Sequence, residues 1–410
     1  MTYRFVSDLS PVEYQAFAYD HPLYNIYQSL EWAQIKKEWE HLFVGVYQEE
    51  ELVLVSLVLY RCLPMNYTLF YIPKGPLANY DDQKLMRYFF EKLKELAVSK
   101  KAIYIKIAPN ILLSSVAYKD INNHKPVREN KFKVFLEALG YKHHGFNLNM
   151  YDTAQPRYCA AYYYDEKWPA NYSNKAVKAV EKALKKGVEI KYLTSDQLPL
   201  FADIMSYTEK RKNISLRNQE YYQRIVDAYK DNVCLVVSTL NLKAQLEQDK
   251  TKLSELKNKI EKRSENHRKS QNTVDQINNL EKEVTFKEQA IKQDGEIAYI
   301  SCLLAVKIKG TTEMLYAGMN EKYRKYYGSY LSYFEGIKWA HEKGCYRCDF
   351  GGIQGTLDDG LTEFKGYFEP NIEEYIGEFD LIINKPINFI FDLSLKVFKS
   401  IRRLLRGIKR

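Results

Sequence analysis

A glycine-rich segment followed by a lysine is the first feature of this sequence that could do chemistry. Residues 351–355 read GGIQG, which predicts a glycine-rich loop after a strand, and Lys365 comes shortly afterwards, between Phe364 and Gly366. Glycines let a backbone approach a ligand closely, and a positioned lysine can stabilise negative charge that develops during a reaction. Turn glycines and surface lysines are both common, so composition alone favours an ordinary exposed lysine over a cleft cation.

Arg217 and Tyr221 form a second candidate pair. They are four residues apart in a segment predicted to be a helix, and this spacing places two side chains on one face. The pair could hold a phosphate group, since the guanidinium fork of arginine matches phosphate oxygens. The alternative is an exposed arginine beside a packed tyrosine.

Other reactive residue types lack the spacing that chemistry would require. Cys345 and Cys348 form the single CxxC, but a structural zinc would need a second pair, and the six cysteines are too scattered for a disulfide framework. His143 and His144 belong to no HExxH pattern, and neither a GxSxG elbow nor a GxxxxGK[ST] loop is present. We therefore expect no metal and no cofactor.

The elements that must position these residues alternate between strands and helices. Hydrophobic residues make up 46% of the 410 positions, which is enough for more than one core. Period-2 and helical patterns follow each other through residues 1–150 and again through residues 151–384. We interpret the chain as an α/β (α+β) protein with two successive domains, divided near residue 150.

Residues 241–292 break this pattern and predict an inserted arm. The segment has almost no Gly or Pro and is dominated by charged and amide residues. Two heptad-like series flank a polar stretch and predict an antiparallel coiled-coil hairpin. Whether the hairpin contacts nucleic acid or is only a solvated support stays open. The apolar positions of the two series are Leu242, Leu246, Leu253, Leu256 and Ile260, then Ile277, Leu280, Val284 and Ile291.

The basic character of the chain is concentrated in its tail. The formal net charge is +9, and residues 385–410 contain eight cations and one anion, a net +7, which leaves +2 for all the preceding residues. Apolar residues recur on one helical face of this segment, and a basic amphipathic helix suits an anionic membrane surface. Docking on the protein's own body or on RNA is the alternative. No signal peptide or spanning segment is apparent, so we expect a cytoplasmic protein, peripheral on the inner face of the plasma membrane.

The order of several segments resembles the FemABX family of peptidoglycan interpeptide-bridge aminoacyltransferases, and within it the MurM/MurN type. The resemblance extends over nearly the whole chain. It implies two GNAT-like acyltransferase domains and transfer of an amino acid from aminoacyl-tRNA to the stem-peptide lysine of lipid II. The segments are YQSLEWAQIKKEW, FYIPKGPL, NKAVKAVEKALKKGVEI, RKNISLRNQEYY, LYAGMN, GIKWAHEKGCYRCDFGGIQG, GLTEFKGYF and EYIGEFDLIINKP.

The same resemblance implies roles for individual residues. The family's substrate-phosphate contacts fall on Lys36, Arg217 and Tyr221, with Tyr316 lining the same site, and its transfer-step lysine falls on Lys365, beside Phe364. One departure is visible, because some relatives have Asp before the proline of the strand IKIAP, where this chain has Ala108. No role for an acid is transferred to that position, and the acceptor of the amine proton is left unassigned.

Two other functions remain possible at this point. An acyl-CoA-dependent N-acyltransferase could share the fold, although none of the 18 glycines lies in an R/QxxGxG/A loop for the coenzyme pyrophosphate. A non-catalytic membrane- or RNA-binding protein could use only the arm and the tail. The sequence does not say which of alanine, serine or glycine would be transferred, or whether the first or second bridge residue is added.

Overall fold

A computed structural model describes residues 2–166, 168, 173–212, 214–261 and 267–408 of the chain. Its strands form two sheets, one of seven strands and one of eight. Helices cover the faces of both sheets, and two long helices form a hairpin. The predicted α/β class therefore has the form of two sheets with an inserted helical arm.

The first sheet has the strand order β1-β2-β3-β4-β5-β15-β7. Only β4 and β5 are parallel, and the other neighbours are antiparallel. The helices α1 to α4 accompany it. The strands are β1 (Tyr3–Val6), β2 (Glu40–Gln48), β3 (Glu51–Cys62), β4 (Thr68–Pro73), β5 (Ala102–Ala108), β7 (Lys142–His143) and β15 (Phe379–Ile382), and the helices are α1 (Pro11–Asp20), α2 (Leu30–Ile35), α3 (Gln83–Ser99) and α4 (Lys131–Ala138).

The second sheet has the order β6-β14-β8-β13-β12-β11-β10-β9, in which only β12 and β13 are parallel. Its strands are β6 (Leu112–Ala117), β8 (Tyr158–Tyr163), β9 (Val188–Tyr192), β10 (Val233–Asn241), β11 (Ile297–Ile308), β12 (Thr311–Met319), β13 (Arg347–Ile353) and β14 (Asn371–Tyr375). The helices that follow in the chain are α5 (Asn174–Lys185), α6 (Leu198–Lys212), α7 (Gln219–Tyr229), α8 (Leu242–Glu261), α9 (His267–Asp294), α10 (Gly328–Glu342), α11 (Gly360–Gly366) and α12 (Lys385–Ile408).

The two sheets exchange strands across residue 150. Strand β6 precedes that position but pairs with β14 of the second sheet, whereas β15 follows it but pairs with β5 and β7 of the first. Each exchange ties the two halves together through backbone hydrogen bonds. The division into residues 1–150 and 151–384 stays a prediction. Hydrophobic periodicity identifies a strand but not the strand with which it pairs, so the exchange could not be predicted from the sequence.

The halves also share an apolar core. Trp32 and Ile35 of α2 pack in one cluster with Tyr221 and Tyr222 of α7. Beneath them, the Ser29 hydroxyl lies 2.8 Å from the hydroxyl of Tyr229. This shared packing holds α2 against α7, and both helices approach the candidate site.

The arm is formed by α8 and α9, which leave the sheet between β10 and β11. The ion pairs Lys250–Glu288 and Lys257–Glu281 join α8 to α9. The residue number on α9 decreases as the residue number on α8 increases, so the two helices are antiparallel. Near the base, the buried Lys287 donates to Asp249. Part of the predicted polar turn, residues 262–266, lies outside the described residues.

The glycines of the GGIQG segment do not form the predicted loop. Gly351 and Gly352 are the last part of β13, where the register with β8 shifts between Asp349 and Gly352. Gly351 has φ +80°, a backbone conformation that glycine adopts without the steric cost of a side chain. The prediction of a loop at these two residues was therefore wrong, because a strand interrupted by a bulge has the same glycine signature as a strand end.

Helix α12 continues from β15 and presents apolar side chains to solvent. Phe389 is 71% exposed and Ile390 is 60% exposed, while Phe391 places its ring 6.3 Å from that of Tyr104. The side chains of Lys396 and of residues 398–410 are outside the described part, including most of the predicted basic face. Among the described helices, none combines the length and apolar character that crossing a bilayer requires.

Candidate active site

The predicted phosphate contacts Lys36, Arg217, Tyr221 and Tyr316 lie together where α2 meets α7. Lys36 follows directly after α2, and its ammonium donates a 2.9 Å hydrogen bond to the Tyr221 hydroxyl. The Arg217 guanidinium lies 4.8 Å from the centre of the Tyr221 ring, and the Tyr316 ring is 6.2 Å from the same ring. Residues from three distant parts of the chain therefore surround one point.

Arg217 is not on the helix that the sequence predicts for it. Helix α7 begins at Gln219, and the side chain of Asn218 caps it by accepting a hydrogen bond from the backbone N–H of Tyr221. Asparagine is a strong N-cap residue, which explains why the helix starts there. Arg217 reaches the Tyr221 ring from the preceding segment, so the two side chains meet without sharing a helix face.

The electrostatics of this cluster suit an anion. Burial and the neighbouring charge of Arg217 lower the pKa of Lys36 to about 8. A further cation, Arg224, is paired with Glu38 at 3.1 Å. Because cations repel each other in a partly buried site, a bound phosphate would stabilise both Lys36 and Arg217.

Lys365 is buried rather than exposed, with 4% of its surface accessible. It lies near the end of α11, a short helix capped at its start by the Asp359 carboxylate. Its ammonium donates to the backbone carbonyls of Gly351 at 3.1 Å and Gly352 at 2.9 Å. Burial lowers the pKa of Lys365 to about 8. The bulge in β13 thus presents two carbonyls that hold this lysine in place.

Neighbours of this lysine line two cavities. Phe364, its chain neighbour, lies 4.8 Å from the rings of both Tyr330 and Tyr333 and lines a cavity of about 610 Å³. The carbonyl-bearing residues Gly351 and Gly352 line a different cavity, of about 360 Å³. Lys365 itself lines neither cavity, but the two glycines that hold its ammonium line one of them and Phe364 lines the other.

The structure does not join all predicted site residues into one cluster. Lys365 and Phe364 make no contact with Lys36 or Arg217 among the described residues. Strand β12 is the link, because it carries Tyr316 of the phosphate cluster and also Glu313, which lines the smaller cavity. Ala108, the position at which some relatives have Asp, is buried at the end of β5.

Two charged residues of the smaller cavity, Lys74 and Glu313, were not indicated as functional by the sequence. Lys74 lies within the quoted segment FYIPKGPL, and Glu313 is an acidic residue inside a β-strand, a placement that strands disfavour. An acidic residue within a predicted strand was therefore the sequence feature that could have indicated Glu313. The remaining charged residues of the cavity are Arg347, Asp349 and Glu373.

Cys345 and Cys348 have a packing role. Both are buried, and the Cys345 sulfur lies 3.1 Å from the hydroxyl of Thr312. Burial raises the pKa of both thiols, which disfavours the reactive thiolate.

Comparison with known proteins places this chain in a family. The FemAB family model matches residues 9–392. The chain is 27% identical to the aminoacyltransferase FemA of Staphylococcus epidermidis over 88% of its own length and 91% of that protein. It is also 27% identical to the lipid II:glycine glycyltransferase of Staphylococcus aureus, over 97% and 98% of the two chains.

Among solved structures, the crystal structure of FemX shares the fold. The TM-score is 0.70 at 24% sequence identity, and the match covers 95% of this chain and 99% of the other. The predicted α/β fold class with an inserted helical hairpin is confirmed. The predicted class of enzyme, an aminoacyltransferase, is confirmed as well. The family match extends over nearly all of both sheets, and the chain belongs to the FemAB family.

Proposed function

We propose that this protein transfers an amino acid from aminoacyl-tRNA to the side-chain amine of the stem-peptide lysine in lipid II. The observation that carries the proposal is the buried ammonium of Lys365, held by the carbonyls of two glycines that line one cavity and adjacent in the chain to Phe364, which lines another. The lipid II:glycine glycyltransferase, matched over 97% of this chain, supports lipid II as the acceptor.

The cluster of Lys36, Arg217, Tyr221 and Tyr316 would bind the pyrophosphate of the acceptor. Lys36 and Arg217 supply two cations, and the Tyr221 hydroxyl between them can donate to a phosphate oxygen. Lipid II carries its stem peptide and its pyrophosphate on one sugar, so one molecule can reach both this cluster and a nearby amine site. The cluster thereby sets which amine approaches Lys365.

The larger cavity would receive the acceptor end of the charged tRNA. Its lining joins the aromatic rings of Phe364 and Tyr330 to the cationic side chains of Arg211, Lys212 and Arg324. Aromatic faces stack unpaired bases, while cations neutralise the nucleic-acid backbone. This combination is suited to a single-stranded end rather than to a duplex.

The chemistry needs little beyond positioning. The donor is an activated ester, and the attacking amine must be neutral when it meets the carbonyl carbon. The tetrahedral intermediate carries an oxyanion. The ammonium of Lys365 has three N–H donors, of which two bind the carbonyls of Gly351 and Gly352, so the third can donate to that oxyanion.

The tail would hold the enzyme near its acceptor. Helix α12 exposes Phe389, Ile390 and Leu393, and the sequence of residues 385–410 adds a net +7. Apolar side chains that enter the lipid interface and cations that attract anionic headgroups act together. We infer a cytoplasmic enzyme that binds the inner face of the plasma membrane, where it would meet lipid II.

A direct assay tests the proposed function. Purified protein is mixed with lipid II and separately charged alanyl-, seryl- and glycyl-tRNA, and the product is identified by mass spectrometry. Transfer of one residue to the lysine amine is the expected result, and it would also identify the cargo. Acylation by acetyl-CoA in place of charged tRNA, or no product from any donor, would contradict the proposal.

A further inference from the structure

The smaller cavity holds five charged side chains in a partly enclosed space of about 360 Å³. One of them comes from the loop after β4 of the first sheet, and the others come from strands of the second sheet. Three are carboxylates and two are cations, so the cavity carries one negative charge in excess when all five are ionised. The five are Lys74, Glu313, Arg347, Asp349 and Glu373.

Three of the five satisfy each other. The Arg347 guanidinium donates to Asp349 at 2.7 Å and to Glu373 at 2.6 Å. The second oxygen of Asp349 accepts from the backbone N–H of Gly351 at 2.7 Å. Glu373 also accepts from the hydroxyl of Tyr375 at 2.8 Å. The Nη1 group of Arg347 lies outside these hydrogen bonds, and it is 4.0 Å from the Glu313 carboxylate, which is too far for a hydrogen bond.

Glu313 is the carboxylate that remains. Its side chain is 14% exposed, and its nearest opposite charge is the Arg347 guanidinium at 4.0 Å. The Glu313 carboxylate accepts no hydrogen bond from any residue that the structure describes. A carboxylate withdrawn from water without a hydrogen bond is costly, and the cost is removed when a donor binds or a proton is added.

Lys74 is the cation that remains. It is 8% exposed, and its ammonium lies 3.4 Å from the centre of the Tyr375 ring. No acceptor within hydrogen-bonding distance of it is found in the described part of the chain. Its backbone is held in the left-handed region at φ 49°, and its carbonyl accepts from the Asn25 amide at 3.0 Å. A strained, buried cation without an acceptor is typical of a ligand site.

The two groups without a hydrogen-bond partner together specify a ligand with one cationic donor and one oxygen acceptor. A primary ammonium would bring the cavity to electrical neutrality and give Glu313 its missing hydrogen bond. A peptide carbonyl or carboxylate on the same ligand would accept the hydrogen bond that the Lys74 ammonium lacks. A peptide with a lysine side chain carries both groups.

We propose that the smaller cavity is the acceptor-amine site, in which Glu313 binds the lysine ammonium and takes its proton while Lys74 holds a backbone oxygen of the same peptide. This inference rests on the proposed function for the identity of the peptide. Glu313 pairs in register with Asp349 on β13, the strand whose carbonyls hold Lys365. The substrate amine would thus lie next to the Lys365 ammonium, which would donate a hydrogen bond to the oxyanion.

The proton balance of the step is complete. The ammonium gives one proton to the Glu313 carboxylate, and the nitrogen lone pair then forms a bond to the ester carbonyl carbon. Collapse of the intermediate breaks the ester C–O bond, and the ribose oxygen of the tRNA leaves with the second proton of the attacking nitrogen. The third proton stays on the amide nitrogen, and Glu313 returns its proton to solvent, so no oxidant is required.

The surroundings of Glu313 suit a proton acceptor. Burial and the charge of Asp349 raise its pKa, which brings a carboxylic acid closer to the basicity of an amine. Arg347 and Lys74 oppose this increase. The charged and titratable groups that face Glu313 are Asp349 and Arg347 of β13, Glu373 and Tyr375 of β14, Cys159 and Tyr163 of β8, and Lys74 and Tyr27 of the first half.

Glu313→Gln is the primary test, because the amide keeps the shape and cannot accept a proton. We expect kcat/KM for lipid II to fall about 100-fold, with KM for charged tRNA unchanged. Glu313→Asp should restore part of the loss, since it keeps the carboxylate. Lys74→Met should raise KM for lipid II about tenfold with little change in kcat. Glu369→Gln and Lys338→Met, outside the cavity, are the matched controls.

A peptide-binding experiment tests the amine site independently of the transfer reaction. A soluble stem pentapeptide with a free lysine amine is titrated against wild type and Glu313→Gln by calorimetry, beside the same peptide with an acetylated lysine. Binding that requires both the free amine and Glu313 supports the site even if no charged tRNA is used. Equal binding of the two peptides, or Glu313→Gln activity within about threefold of wild type, overturns the inference.

Discussion

The substitution Lys365→Met isolates the role of the buried ammonium. Methionine keeps the length and much of the volume of lysine but has no N–H donor. The variant therefore loses the hydrogen bonds to Gly351 and Gly352 and the third donor that would face the oxyanion. Removing one oxyanion donor costs about 100- to 1,000-fold in kcat, or about 2.7–4 kcal/mol of transition-state stabilisation.

The substitution also affects stability, and the two effects can be separated. Two backbone carbonyls lose a buried donor, at about 1–3 kcal/mol each, while the cost of burying a charge disappears. The two effects on the free energy of unfolding therefore partly cancel. Lys287→Met is the matched control, because Lys287 is equally buried but lies in the arm against Asp249.

The pH dependence gives the same residue a second signature. With a pKa of about 8, Lys365 is charged below that pH and loses its charge as the pH rises through it. If the cation stabilises the oxyanion, wild-type kcat falls above pH 8, by about tenfold for each further pH unit. This descending limb should be missing in Lys365→Met, whose kcat is low at every pH.

The assay is single-turnover transfer to lipid II with saturating charged tRNA, corrected for spontaneous ester hydrolysis at each pH. Lys287→Met should keep the wild-type kcat per folded molecule and the descending limb, whatever its melting temperature. A Lys365→Met enzyme with kcat within about fivefold of wild type would refute the electrostatic reasoning. So would a variant that keeps the descending limb.

Three further outcomes are expected. Arg217→Ala should raise KM for lipid II about 10- to 100-fold through loss of a bidentate phosphate contact, with KM for charged tRNA unchanged; equal changes in both would remove it from the acceptor site. Deleting residues 385–410 should weaken binding to anionic liposomes most strongly at low salt, and an unchanged partition in a sedimentation assay would contradict the membrane role. Replacing residues 251–285 with a Gly-Ser turn keeps the buried base of the arm, and a raised KM for charged tRNA is expected; an unchanged KM would make the arm a support only.

Much of the architecture was accessible from the sequence because it depends on local periodicity. The heptad-like spacing in residues 241–292 specifies two helices whatever surrounds them, and α8 and α9 are present. The net +7 of residues 385–410 is likewise a property of the chain itself. The ordered segments were sufficient to indicate the family, which the comparisons confirm.

The active site was accessible only in part. The sequence indicated Lys36, Arg217, Tyr221, Tyr316 and Lys365 through resemblance, but no pattern shows that Lys365 is buried against two carbonyls. Burial depends on what packs over a side chain, and the covering elements are distant in sequence.

What the sequence determined by itself is therefore the set of elements, the arm, the basic tail and the family. The tertiary structure alone decided that β6 and β15 exchange sheets, that Gly351 lies in a bulged strand, and that the side chains of Glu313 and Lys74 line one cavity without a hydrogen-bond partner among the described residues. The reason is physical. A pattern of side chains reports on each residue's own neighbours along the chain, whereas pairing, burial and charge balance arise from residues that only the fold brings together.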